Sequence, residues 1–150
     1  MRSTVNAFRA LDLRCHALLR DAPLHDVWTM ALRGGGPGRT MRDVFAIATP
    51  RAARPPAVRA LLALRGALGR LFRLDAPRPD VADVSYVRRL SDDDRARSLF
   101  APGTMRGSFR VLYEFADEAV YELRNATVHA FLAQALRPSG DGYKIGRAHV

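Results

Sequence analysis

The stretch from Gly107 to Tyr143, GSFRVLYEFADEAVYELRNATVHAFLAQALRPSGDGY, limits the possible folds more than any other part of the chain. In SFRVLYEF, Phe109, Val111, Tyr113 and Phe115 fall on one side of an extended backbone, and Arg110, Leu112 and Glu114 on the other. That alternation is the period of a strand with one covered face. The runs EAVYEL and TVHAFLAQAL follow, parted by turns at Ala116-Asp117 and Arg124-Asn125, and PSGDG (Pro138 to Gly142) marks a third turn. Strands joined by so few residues pair antiparallel, because a parallel return needs a crossover of roughly a dozen residues. A meander over residues 107–143 is therefore expected.

Upstream segments read mostly as helices. Residues 7–20 (AFRALDLRCHALLR) are compatible with a short helix, and His25 to Leu32 (HDVWTMAL) lean to a strand. Thr40 is placed to cap a helix reaching about Ala48, and Pro56 to open the clearest helix, Ala57 to about Leu74. LDAPRPD (Leu74 to Asp80) reads as a linker and DVSYVRRL as a further strand. Ser91 before Asp92, Asp93 and Asp94 is a helix start, with a hydroxyl cap and acids facing the positive end of the dipole. A leading strand, then helices, then an antiparallel meander is the order of helix-grip folds. The expected class is α+β.

RGGGPGRT (Arg33 to Thr40) imitates a phosphate-binding loop between a strand and a helix. Such a loop needs GxxxxGK[ST], yet Arg33 stands at the first glycine position and Arg39 at the lysine position. A planar guanidinium does not replace a compact ammonium. No apolar strand ends in a magnesium carboxylate, so nucleotide hydrolysis is not expected.

A chain of 150 residues, 48% hydrophobic, suits one domain. No apolar run approaches the roughly 20 residues of a membrane span, and the charged N-terminus is not a secretory signal. The one cysteine, Cys15, precludes an internal disulfide. His16 and His25 lack ligand spacing, so no metal site is expected. A cytoplasmic protein without a cofactor is the expectation.

The ending KIGRAHV holds the only lysine, Lys144, of a chain with 23 arginines, and is similar to one translation of a common sequencing adapter. Lys144 to Val150 are read as a non-native tail, with the single domain ending near Tyr143 and incomplete at its C-terminus. Without that tail the net charge falls from +9 to +7. Residues 1–79 hold 14 arginines against five aspartates, and residues 80–142 eight arginines against ten acids. A basic half attracts phosphate backbones or anionic lipid surfaces. Between Arg51 and Arg73, however, Phe72 is the only aromatic among six arginines, so stacking on nucleic acid is not expected. GC-rich coding also produces such arginine use.

Five residues are candidates for a site. At about 100° per residue, Val58, Leu61, Leu62, Leu68 and Phe72 share an arc of about 120°, and Arg65 falls inside it. A guanidinium there either pairs internally with Glu114 or Glu122, snorkels to water, or anchors a ligand anion. His129 shares a strand face with Phe131 and is either a satisfied core histidine or an acid–base group. Tyr113 and Tyr121 offer hydroxyls to a ligand, or serve as core.

The segments LRDAPLHDVWTMAL, LLALRGALGRLFRLD and above all the Gly107–Tyr143 block resemble the bacterial domain-of-unknown-function 2867 family, over roughly Leu18 to Tyr143. That family is similar to the START-like (helix-grip, SRPBCC) ligand-binding superfamily, which wraps a curved sheet around a long helix and leaves an apolar cavity. The resemblance implies another strand and a C-terminal helix after the tyrosine. It also implies possible association with a dinucleotide-binding oxidoreductase module, and it supplies no catalytic residues. The expected function is binding of a small apolar or amphipathic molecule between sheet and helix. The alternatives are a small enzyme of the same fold, hydratase- or cyclase-like, and a basic nucleic-acid-binding protein.

Overall fold

A computed structural model describes residues 5–32, 38–48, 55–73, 86–125, 128–139 and 142–149. Among these, the fold is α+β. Strands β1 (Asp26–Leu32), β2 (Met105–Arg106), β3 (Phe109–Glu114), β4 (Glu118–Arg124), β5 (His129–Ser139) and β6 (Gly142–His149) form one antiparallel sheet. Their order is β1-β6-β5-β4-β3-β2. The meander is present, and its last strand returns to the first: β6 lies between β5 and β1, from Leu32 opposite Tyr143 to Asp26 opposite His149. Among the described residues no strand pair is parallel, so the Arg33–Thr40 stretch lacks the setting of a phosphate loop; residues 33–37 themselves lie outside them.

Residues 144–149, read above as a tail, supply most of β6. Main-chain groups make these pairings, so the ladder calls for strand-forming residues with free N–H groups rather than for one particular set of side chains.

The helices are α1 (Val5–Arg9), α2 (Arg14–Leu18), α3 (Met41–Ala48), α4 (Pro56–Leu71) and α5 (Asp92–Arg97), with a 3-10 turn at Tyr86–Arg89. The single helix expected over residues 7–20 is thus two, because Leu13 is extended (φ −127°, ψ 137°) and the chain restarts at Arg14. Thr40 precedes α3 as expected, but with roles reversed: Asp43 accepts from both its N–H (2.8 Å) and its hydroxyl (3.1 Å). Pro56 opens α4, whose last residues are followed by Arg73 in the left-handed region (φ 53°). Of the expected strand DVSYVRRL, residues 83–85 lie outside the described residues and Tyr86–Arg89 form the 3-10 turn. Tyr86 and, just after the turn, Leu90 are buried while Arg88 between them is exposed, whereas a strand would set all three on one face. The proposed linker, residues 74–80, lies outside the described residues. At α5 the Ser91 hydroxyl accepts from Asp94 N–H (3.1 Å), and the Asp94 carboxylate accepts from Ser91 N–H (3.3 Å).

The alternation expected in β3 is interrupted. A bulge between Val111 and Tyr113 turns the strand over, so Phe109 and Val111 lie on one face of the sheet, and Tyr113 and Phe115 on the other. The first face carries Val27, Tyr113, Phe115, Val120, Phe131, Ala133 and Ala135 under Phe8, Leu13, Cys15, Leu18, Leu19, Tyr86 and Leu90. The second carries Val111, Ala119, Tyr121, Leu132 and Leu136 under Met41 and Val44 of α3. Helices thus cover both faces, and α4 keeps its leucines largely exposed.

Candidate functional site

The five sequence candidates do not converge. Tyr113, His129 and Phe131 lie on the first face and Tyr121 on the second, while Arg65 is on exposed α4. The premise that Arg65 is buried fails because the apolar arc of α4 does not enter the core. The acids suggested as its partners are engaged elsewhere. Glu114 accepts from Arg106 (2.6 Å) and from the Tyr121 hydroxyl (2.8 Å). Glu122 meets His129 Nε2 at 2.9 Å, with Arg110 3.8 Å from its other oxygen. His129 is half-exposed, and its ring leans on Phe131 (4.8 Å) and Tyr86 (6.1 Å).

Glu118 joins these acids at the same four-residue interval in sequence, and all three are fully or almost fully buried. Glu114 lies on the second face with Tyr121, and Glu118 and Glu122 on the first with Tyr113 and His129. Each has polar partners, and both oxygens of Glu118 are hydrogen-bonded, while Glu114 Oε1 and Glu122 Oε2 are buried without a hydrogen bond among the described residues. Glu118 accepts from the backbone N–H groups of Arg14 (2.9 Å) and Cys15 (2.8 Å) and from the Tyr113 hydroxyl. It caps α2 from across the sheet, where Leu13 offers no side-chain cap. Burial, and then the nearby Glu118, drives the Tyr113 phenol well above its ordinary range; burial and the bond to Glu114 do the same for Tyr121. Both phenols are therefore fixed donors to carboxylates, already used within the fold.

Open space lies elsewhere. A hollow of about 680 Å³ opens within the N-terminal segment and reaches the first face of the sheet at Ala133. Phe8, Cys15, Leu19, Leu24 and Ala133 make its apolar wall, while Arg9, His16, Arg20 and Asp21 supply polar groups. His16 Nε2 lies 3.2 Å from the Phe8 carbonyl, which can only accept, so that nitrogen carries the proton. The other nitrogen is 4.0 Å from Cys15 Sγ. Burial first, then Glu118, pushes the Cys15 thiol far up, so it stays protonated and is no nucleophile at neutral pH. Asp21 is held by Arg89 in a two-pronged pair (2.7 and 2.8 Å), which brings its carboxyl down to about 2. Arg89 also covers the Tyr86 ring at 4.0 Å, fixing the far end of the segment.

None of the five sequence candidates lines this hollow. The available signal was the apolar set Phe8, Cys15 and Leu19 near the N-terminus, which resembles an ordinary helix face in sequence.

The family model described as "Protein of unknown function (DUF2867)" matches residues 18–148. No curated protein and no solved structure matches the chain.

Proposed function

Since the chain belongs to the domain-of-unknown-function 2867 family, with the match running through β1 and nearly all of β6, we propose that it binds a small amphipathic molecule. The occupied space is the hollow of the N-terminal segment, which reaches the sheet at Ala133. One observation carries this reading: a space of about 680 Å³ with an apolar wall and arginines among its lining residues. Ligand pockets commonly have that volume and that mix of groups. The apolar end of the ligand lies against Phe8, Leu19, Leu24 and Ala133, and its anionic end turns toward Arg9 and Arg20. The protonated thiol argues for binding over thiolate chemistry here. The sheet order, first strand beside last with helices between β1 and β2, supports placing the domain among START-like ligand-binding folds. The ligand class is the one expected from sequence, at a different place: under α1 and α2, not under α4.

The test is displacement of the fluorescent anion anilinonaphthalene sulfonate by a medium-chain fatty acid, with wild type beside Ala22→Phe. Ala22 lines the hollow and is only half-buried, so a larger side chain fills the space without overpacking the core. Affinity should fall at least about tenfold, roughly 1.4 kcal/mol, with little change in melting temperature. Equal affinity in a folded Ala22→Phe protein overturns the assignment.

A further inference from the structure

Helix α4 presents an apolar surface that the fold does not use. Leu61, Leu64, Leu68, Leu71 and Phe72 run along it at helical spacing, 65, 57, 41, 73 and 63% exposed. Val58 and Leu62 widen this stripe to about half the circumference. A seam for a partner helix is narrower. Arg59 and Arg70 project from the opposite side, the Arg70 stem being held back by its bond to the Gly66 carbonyl (3.2 Å). Arg73 follows the end of the helix. The sequence contains no acid between Asp43 and Asp75, and six arginines between Arg51 and Arg73. Helices that face only water or another protein usually mix charges in i,i+4 pairs. This one carries a single sign.

We propose that α4 is a docking helix that lies in the plane of an anionic lipid surface. Its leucines and Phe72 enter the boundary between headgroups and acyl chains, and Arg59, Arg70 and Arg73 face the lipid phosphates. Arg65, set within the apolar stripe, lays its methylene stem along the same layer and raises its guanidinium to the headgroups. The helix is about 24 Å long and binds flat; no described helix is long and apolar enough to cross a membrane. Charge disfavours a second copy as the occupant. Pairing two α4 helices would bring one arginine-bearing helix against another, and the sequence of α4 contains no acid.

The experiment is co-flotation of the full chain with vesicles of phosphatidylcholine alone or with about a third phosphatidylserine, at low and high salt. Binding is expected only to the anionic vesicles, and it should weaken at least about tenfold at high salt. Leu64→Glu combined with Leu71→Glu should abolish it. Both positions are exposed, so the fold is retained, and a melt monitored by circular dichroism confirms this. A Leu61→Trp variant should show a blue-shifted emission on vesicles. Equal binding to neutral vesicles, no binding at all, or binding unchanged in the double variant each overturns the proposal. So does a concentration-dependent dimer that Leu64→Glu dissolves, without vesicle binding, which would assign the stripe to a second copy.

Discussion

At the scale of single residues, Glu118 governs most. Its carboxylate joins β4 to the first turn of α2 through two backbone N–H groups more than a hundred positions away, and takes the Tyr113 hydroxyl as well. Glu118→Ala would strand all three donors in a buried place. Unmade bonds of that kind cost about 1–3 kcal/mol each, so we expect a loss of about 3–5 kcal/mol in urea melts. Tyr113→Phe removes one donor and keeps the packing, and should cost about 1–2 kcal/mol. A Glu118→Ala protein within about 1 kcal/mol of wild type would show that the N-terminal segment is held by its apolar contacts alone. The hollow would then have softer walls than proposed.

Among elements, the junction of α5 with α2 sets a pH dependence. Arg14 reaches Asp94 through Nε and Nη2, both at 2.8 Å, while Asp94 also completes the capping box with Ser91. The Arg14 bond first, and Ser91 next, hold the Asp94 carboxyl below its usual range. A depressed folded value stabilises the protein above the unfolded value of about 4. That contribution is lost as pH falls through the folded value. Asp94→Asn should therefore cost about 1–2 kcal/mol at neutral pH, discounted for the partial exposure of Arg14. The difference from wild type should shrink below about pH 4. A difference that stays constant across a pH series of thermal melts would reassign the effect to packing.

At the level of the whole molecule, β6 makes the meander and the leading strand one sheet. It is flanked on both sides, by β1 and by β5, so its main-chain groups are paired twice. A chain ending at Ser139 would leave two facing edges unpaired, and open edges associate. Aggregation on size exclusion with light scattering is the expected result. Exchanging the side chains of residues 144–149 for other strand-forming residues should preserve the sheet, because the ladder is main chain. A monomeric, cooperatively melting chain ending at Ser139 would show that β6 is dispensable.

Some of this was determined by sequence alone. Alternation and short turns dictated the antiparallel meander, the SDDD run began α5 where its cap forms, and Pro56 opened α4, because each of these is a local interaction. The membership in the family was carried by the same local pattern. Other features needed the folded chain. The bulge at Val111–Tyr113 inverts the face assignment of β3, and no residue type announces it. The break between α1 and α2 is stabilised by an acid on a distant strand. Periodicity placed Arg65 in an apolar arc but could not tell whether that arc faced the core, since amphipathicity fixes a side and not its neighbour. The hollow arises where the N-terminal segment bridges the sheet, a shape set by packing between elements far apart in the chain.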